Sequence, residues 1–366
     1  MPEWPAGVSI RHANPSKRIG RVDGILALTL IAVAIVLVFD YTNGFHDAAN
    51  VVATVIASRA MTPGQAVVVV GVFEFLGPLL GGTAVANTIG GFVDLGGLDA
   101  SHAIVVVLAG LLGAIAWNLL TWWRGLPSSS SHALVGGLIG ATVLAAGAEH
   151  VVWGTDAWRD GHQLTGVLKV LAALILSPLI GLLAGFAIHR LAMLLLRAAH
   201  PRINTRLRRL QFVTTAALAF SHGANDAQKS MGIITLLLVL GGYLPGFAVP
   251  FWAMLACATA LTLGILSGGW RIVRTLGFSV YKVRPLHALD SQLTSASVIF
   301  TAALVGAPVS TSHVVASSIM GIGAAERPKA VRWGKAREIG HTWLLTLPAS
   351  AAAGALALLA LFPFLS

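Results

Sequence analysis

Apolar runs recur along this chain at 25–39, 66–82, 103–123, 167–196, 212–241, 247–266, 293–305 and 343–365, and no other feature limits its fold so strongly. A stretch of about 20 apolar residues reads as a transmembrane helix. Only 10% of the 366 residues are charged and 56% are hydrophobic, whereas a soluble domain carries about a quarter charged residues. The chain reads as an all-α polytopic membrane protein with about ten to twelve crossing or re-entrant segments. Several runs are interrupted by polar clusters, and these carry the functional reading.

The polar opening "MPEWPAGVSIRHANPSKRIGRVDG" lacks the short apolar core and small-residue cleavage site of a signal peptide. A single cysteine, Cys257, lies in apolar sequence, which excludes intrachain disulfides and cysteine metal clusters. The net charge of +10 does not point to nucleic acid, because Lys and Arg sit between apolar segments rather than in one basic domain. They act as topology signals, most clearly in "RAAHPRINTRLRR" at 197–209, which marks a cytoplasmic loop.

The chain repeats itself. "NGFHDAAN" at 43–50 pairs with "HGANDAQK" at 222–229, aligning Gly44 with Gly223 and Asp47 with Asp226; "PSSSSH" at 127–132 pairs with "PVSTSH" at 308–313. This divides the chain into a polar tail (1–21), a first repeat (22–196), a basic loop (197–210) and a second repeat (211–366). The flanks of the first hydroxyl cluster hold Asp94, Asp99, Glu149, Asp156 and Asp160, those of the second Arg271, Arg274, Lys282, Arg284, Arg327, Lys329, Arg332, Lys335 and Arg337. The two clusters therefore approach from opposite sides, as in an inverted-topology repeat with two re-entrant hairpins. Arg11, Lys17, Arg18 and Arg21 pull the N-terminus the other way, so the side of the tail stays open.

Small residues at Gly44, Gly223 and Ala224 are expected to break the helices that carry the first motif, exposing N–H groups to anions and carbonyls to cations. A lone serine run most often bonds its own helix, and His132 or His313 alone would be capping or packing. An intramembrane aspartate is functional by default, since its burial costs at least about 2.5 kcal/mol, and duplication of both clusters in the same order extends that expectation to their neighbours. Glu74 in "VFEFLG" carries the same cost.

At these residues the chain resembles the inorganic phosphate transporter (PiT) family, whose duplicated signature is close to G-x-N-D-x-x-N and whose hairpins carry P-x-S-x-[ST]-H. "GWRIVRTLG", "HALDSQLTSA" and "TWLLTLPAS" extend the similarity over nearly the whole chain beyond the tail. The resemblance implies an inverted repeat of broken helices with two re-entrant hairpins, in the bacterial inner membrane. It implies phosphate as substrate, no cofactor, no enzymatic activity, and a homodimer as a possible assembly. Ser128, Ser129, Ser130, Ser131, Ser310, Thr311, Ser312, Asn50 and Asn225 would hold phosphate. Asp47, Asp226, His46, Lys229, Asn43 and Gln228 would couple the ion. His46 and the pair Gln228-Lys229 resemble the proton-coupled, low-affinity branch, some members of which carry phosphate with a divalent metal; a fixed positive charge at Lys229 also disfavours sodium. The alternatives are a sodium-coupled phosphate symporter, a sulfate permease of the same family and, remotely, an intramembrane serine hydrolase. Arg124, beside the first hairpin, either snorkels or adds an anion ligand.

Overall fold

The computed structural model describes residues 15–268, 272, 273, 275, 277 and 280–364, with the side chains of 15–23 and of Phe364 outside the description. Most of the N-terminal tail, with Arg11, and the basic residues Arg271 and Arg274 fall outside it. The described residues form twelve α-helices and no strand: α1 Pro15–Ala57, α2 Pro63–Leu80, α3 Ala84–Gly90, α4 Ala100–Arg124, α5 Ser130–Ala146, α6 Thr155–Gly161, α7 Gly166–Leu195, α8 Ile203–Leu240, α9 Phe251–Ser267, α10 Pro285–Leu304, α11 Thr311–Glu326 and α12 Trp333–Leu361. Five of them (α1, α2, α4, α7 and α12) are long and apolar enough to cross a membrane. Helix α8 is long enough too, but the polar run 221–230 interrupts its apolar character.

The helices have two faces. Ser58 Oγ donates to Gln211 Oε1 at 2.7 Å, and Gln211 Nε2 donates to the Pro285 carbonyl at 3.1 Å. Arg59, Lys282 and Arg332 line one crevice on that side. The opposite face joins the loops after α3, α5 and α8: the Asp94 N–H bonds the His150 carbonyl at 2.8 Å, and Phe247 rests against Gly90. It holds Asp94, Asp99, Glu149, Asp156 and Asp160. Positive charge marks the cytoplasmic side, so the basic face is the one expected to be inner.

Hairpin α4–α5 enters and leaves through the acidic face, between Asp99 and Gly147. Hairpin α10–α11 enters and leaves through the basic face, where Glu326 accepts from Tyr281 Oη at 2.5 Å and from Arg284 at 3.3 Å. Helices α5 and α11 have 17 and 16 residues, about 25 Å at 1.5 Å per residue, short of the roughly 30 Å hydrocarbon core. Their N-terminal tips meet inside the protein: Ser131 Oγ donates to the Val309 carbonyl at 3.2 Å, and the His132 and His313 rings lie 4.7 Å apart.

The helices carrying the first motif are not broken. Helix α1 runs through Asn43–Asn50, and α8 through His222–Lys229, without interruption. The glycines serve close packing instead. A Cβ at Gly44 would strike the Leu261 carbonyl of α9, and one at Gly264 of α9 would strike the Tyr41 carbonyl of α1; a Cβ at Gly223 would strike the Glu74 carbonyl of α2, and one at Gly77 of α2 the Phe220 carbonyl of α8. Small residues let membrane helices approach this closely. The packing is reciprocal throughout: α1 on α9 and α8 on α2, α5 on α12 and α11 on α7.

Candidate functional site

The site lies where the polar faces of α1 and α8 meet the two hairpin tips. Each tip begins with a serine N-cap: Ser129 Oγ accepts the His132 N–H at 3.1 Å, and Ser310 Oγ accepts the His313 N–H at 3.3 Å. The caps fix the start of each helix, so that the first-turn N–H groups, which have no partner within a helix, and the hydroxyls of Ser130, Ser131, Thr311 and Ser312 share one buried volume.

Asp47 is the hub. Its carboxylate faces His46 Nδ1 at 2.7 Å and accepts from Ser312 Oγ at 3.0 Å and from Ser130 Oγ and Thr311 Oγ1 at 3.3 Å each. Asp226, its repeat partner, accepts from Lys229 Nζ at 2.5 Å and from Thr311 Oγ1 at 3.3 Å. Thr311 thus bridges both aspartates. Lys229 Nζ also donates to Ser131 Oγ at 2.6 Å and to the Val309 carbonyl at 3.1 Å, and Asn50 Nδ2 donates to Ser312 Oγ at 2.9 Å. His46 Nε2 reaches Thr121 at 3.3 Å and Ser128 at 3.4 Å.

Two residues outside the expected set belong here. His222 places Nε2 3.4 Å from Asp226 and 4.0 Å from Asp47, while its Nδ1 pairs with Glu74 Oε1 at 2.6 Å. All four side chains are fully buried or nearly so. The signals for them were on the page: His222 precedes Asp226 by four residues, the spacing that puts two side chains on one helix face, and Glu74 is a carboxylate in an apolar run. Asp47, His222 and Asp226 each offer a ligand atom within 4.8 Å of the others, a donor set that suits a divalent cation.

Other expected residues lie elsewhere. Gln228 accepts from the Val85 and Ala86 N–H groups at 2.8 and 3.4 Å and donates to the Gly81 and Ala224 carbonyls, so it closes the N-terminus of α3. Asn225 donates to the Ala307 carbonyl at 3.2 Å, at the base of the second tip. Asn43 is buried with no hydrogen-bond partner among the described residues and makes no bond to the cluster. His132 and His313 pack on each other, and His313 stacks on Trp343 at 3.9 Å. Arg124 is exposed, its guanidinium 5.2 Å from the Trp123 ring centre, and takes no part.

Three buried carboxylates, one ammonium and two imidazoles therefore stand among hydroxyls at the N-termini of two helices, a setting able to receive an oxyanion and to trade protons. Comparison with known proteins agrees. Relatives named as probable low-affinity inorganic phosphate transporters are 42% identical over 339 residues in Bacillus subtilis (92% of this chain, 98% of the relative) and 42% identical over 340 residues in Rhizobium meliloti (92% and 97%). A solved structure titled as the sodium-dependent phosphate transporter shares the fold, with a TM-score of 0.82 and 24% identity over 92% of this chain and 99% of that one. The profile of the Phosphate transporter family matches residues 43–202 and, a second time, residues 193–354. With both halves matched and relatives of this closeness, the chain belongs to the phosphate transporter family, as a multi-pass protein of the cell membrane.

Proposed function

We propose that the protein imports inorganic phosphate by proton symport. The observation that carries this reading is Lys229: its ammonium, held by Asp226, Ser131 and the Val309 carbonyl, fills the position among oxygen ligands that a sodium ion would need. Phosphate oxygens would take the hydroxyls of Ser130, Ser131, Thr311 and Ser312 and the first-turn N–H groups of α5 and α11, where the helix dipoles favour an anion. Entry of the anion breaks the bonds these hydroxyls now make to Asp47 and Asp226.

Coupling follows from charge. The carboxylates Asp47, Asp226 and Glu74 are balanced only when Lys229, His46 and His222 are all positive, so each proton the cluster takes up makes it more receptive to an anion and each proton it loses expels one. Phosphate suits the site better than sulfate, because a monoprotonated phosphate can donate to an aspartate and sulfate cannot. Labelled-phosphate uptake into proteoliposomes, with pH and sodium gradients imposed separately, tests the reading. Uptake is expected to follow the inward pH gradient and ignore exchange of sodium for potassium or choline. Sodium-driven uptake insensitive to a protonophore would overturn it.

A second reading rests on the triad Asp47, His222 and Asp226: phosphate enters as a complex with a divalent cation, which is cargo rather than a resident cofactor. Loss of uptake on chelation, with recovery on adding magnesium or calcium, is the result expected of that form.

A further inference from the structure

Asp40 stands apart from this cluster, on α1 two turns before Asp47. It is fully buried, and neither carboxyl oxygen has a hydrogen-bond partner among the described residues. Ser230 and Cys257 face it from α8 and α9, and the charges that act on it are Asp226 and Lys229 of α8. Ser230 Oγ is itself buried and unpaired. Helix α4, which also packs on α1, brings no buried charge, since its His102 and Arg124 are exposed. With only the Ser230 hydroxyl and the Cys257 thiol beside it, neither at full hydrogen-bond geometry, and no cation in contact, an ionised carboxylate here would be costly to bury.

The duplication sharpens the point. Position for position, Asp40 corresponds to Ala219 on α8, just as Asn50 corresponds to Lys229. The substrate cradle of aspartates and hydroxyls is shared by both repeats, whereas an acid at 40 and a base at 229 are each found in one repeat alone, and the charge at 229 acts on the acid at 40. Both lie on the acidic-face side of the cluster, because α1 runs from that face inward and α8 runs toward it.

We propose that Asp40 is a proton-carrying site of this transporter, loaded from the outer side and separate from the groups that bind phosphate; this rests on the proton-coupled reading given above. Asp40 holds its proton in the conformation described. When the cluster rearranges, Asp40 gives its proton to water that reaches it, one O–H bond breaking at the carboxyl and one forming on the water, and the Lys229 ammonium, whose charge acts on Asp40, is the counter-charge of the carboxylate left behind.

The test uses the purified full chain in proteoliposomes, with Asp40→Asn as an uncharged isostere and Asp40→Glu as the variant that keeps a carboxyl. Asp40→Asn is expected to lower phosphate accumulation driven by an inward pH gradient by about tenfold or more, while phosphate–phosphate exchange without a gradient stays within about twofold of the unmodified protein. Asp40→Glu is expected to recover part of the accumulation. Infrared spectra of the unmodified protein should show a protonated carboxylic acid band that shifts in Asp40→Glu, a readout that stands even if Asp40→Asn fails to fold. The proposal is overturned if Asp40→Asn accumulates normally, if exchange and accumulation fall together in folded protein, or if Asp40→Glu leaves the infrared band unmoved. An unmodified protein that ignores the pH gradient overturns the proton-coupled reading itself, and this proposal with it.

Discussion

Asn50 and Lys229 occupy the same position of the two repeats, and each donates to the equivalent serine of the other repeat's hairpin: Asn50 Nδ2 to Ser312 Oγ at 2.9 Å, Lys229 Nζ to Ser131 Oγ at 2.6 Å. The geometry is duplicated and the charge is not. Lys229→Asn keeps an N–H donor to Ser131 while removing the ammonium from Asp226. Uptake driven by a pH gradient is expected to fall about tenfold or more, and added sodium is expected to stimulate what remains. Gln228 will not obstruct this, because it is committed to the N-terminus of α3. Flux measured against each gradient separately checks both parts.

Asp47→Asn and Asp226→Asn each leave buried positive groups without their carboxylate. Truncating one partner of a buried charge pair costs about 3–5 kcal/mol, more than a hundredfold in an equilibrium. Both variants are expected to lose phosphate uptake to background while eluting as folded protein. His222→Gln is expected to behave the same way, since His222 links both aspartates to Glu74.

The serines of the two tips separate into two kinds. Ser129→Ala and Ser310→Ala remove N-caps and should cost about 1 kcal/mol of stability, read as a lower melting midpoint in detergent. Ser130→Ala and Thr311→Val remove hydroxyls that meet Asp47 and should weaken phosphate affinity from either hairpin alike, read by calorimetry, with less change in melting.

The glycine contacts admit a steric test. Alanine at Gly44, Gly77, Gly223 or Gly264 drives a methyl into a neighbouring carbonyl, and overpacking of this sort costs about 1–3 kcal/mol. Each substitution is expected to lower the melting midpoint, and Gly44→Ala combined with Gly264→Ala should fall short of the sum because both act on one crossing. Gly64→Ala, which meets nothing, serves as the control.

On the basic face, burial raises the Tyr281 hydroxyl to about 12, helped by its bond to Glu326. Burial pushes Glu326 up as well, but the Tyr281 hydrogen bond, His287 beside the carboxylate and the positive charge of Arg284 outweigh it and hold the carboxyl below its ordinary value. A carboxyl lowered on folding contributes stability above its unfolded value of about 4.3 and loses it as pH falls through the folded one. Thermal midpoints of the unmodified protein are expected to drop more steeply below about pH 4 than those of Glu326→Gln, and Tyr281→Phe should cost about 1 kcal/mol at neutral pH.

Much of this arrangement was legible in the chain itself. Duplication exposed Asp47, Asp226 and the hydroxyls of Ser130 and Thr311, because two copies of a costly residue in one order leave little room for accident, and flanking charge disclosed the opposed entry of the hairpins. The expected break at Gly44 and Gly223 failed because a glycine in a membrane helix serves a hinge or a close crossing equally well, and only the neighbouring carbonyl decides. Gln228 is read as a site residue from the resemblance, while its direction on the helix turns it to α3. Glu74 stands out in the chain as a costly carboxylate and His222 shares a helix face with Asp226, but their pairing joins α8 to α2 across 148 residues and only the fold discloses it. Asp40 was passed over for the opposite reason: it has no copy.

The reciprocal packing limits how such a molecule can work. Hairpin helix α5 is clasped by α12, the last helix of the chain, and α11 is clasped by α7 of the first half, while α1 and α8 each rest on the other half's second helix. Pulling the first half of the polypeptide away from the second as rigid bodies would tear all four seams at once. Whatever swings to admit phosphate from one side and release it on the other is therefore a composite of both halves, so that a lesion in either repeat is felt on both sides of the membrane.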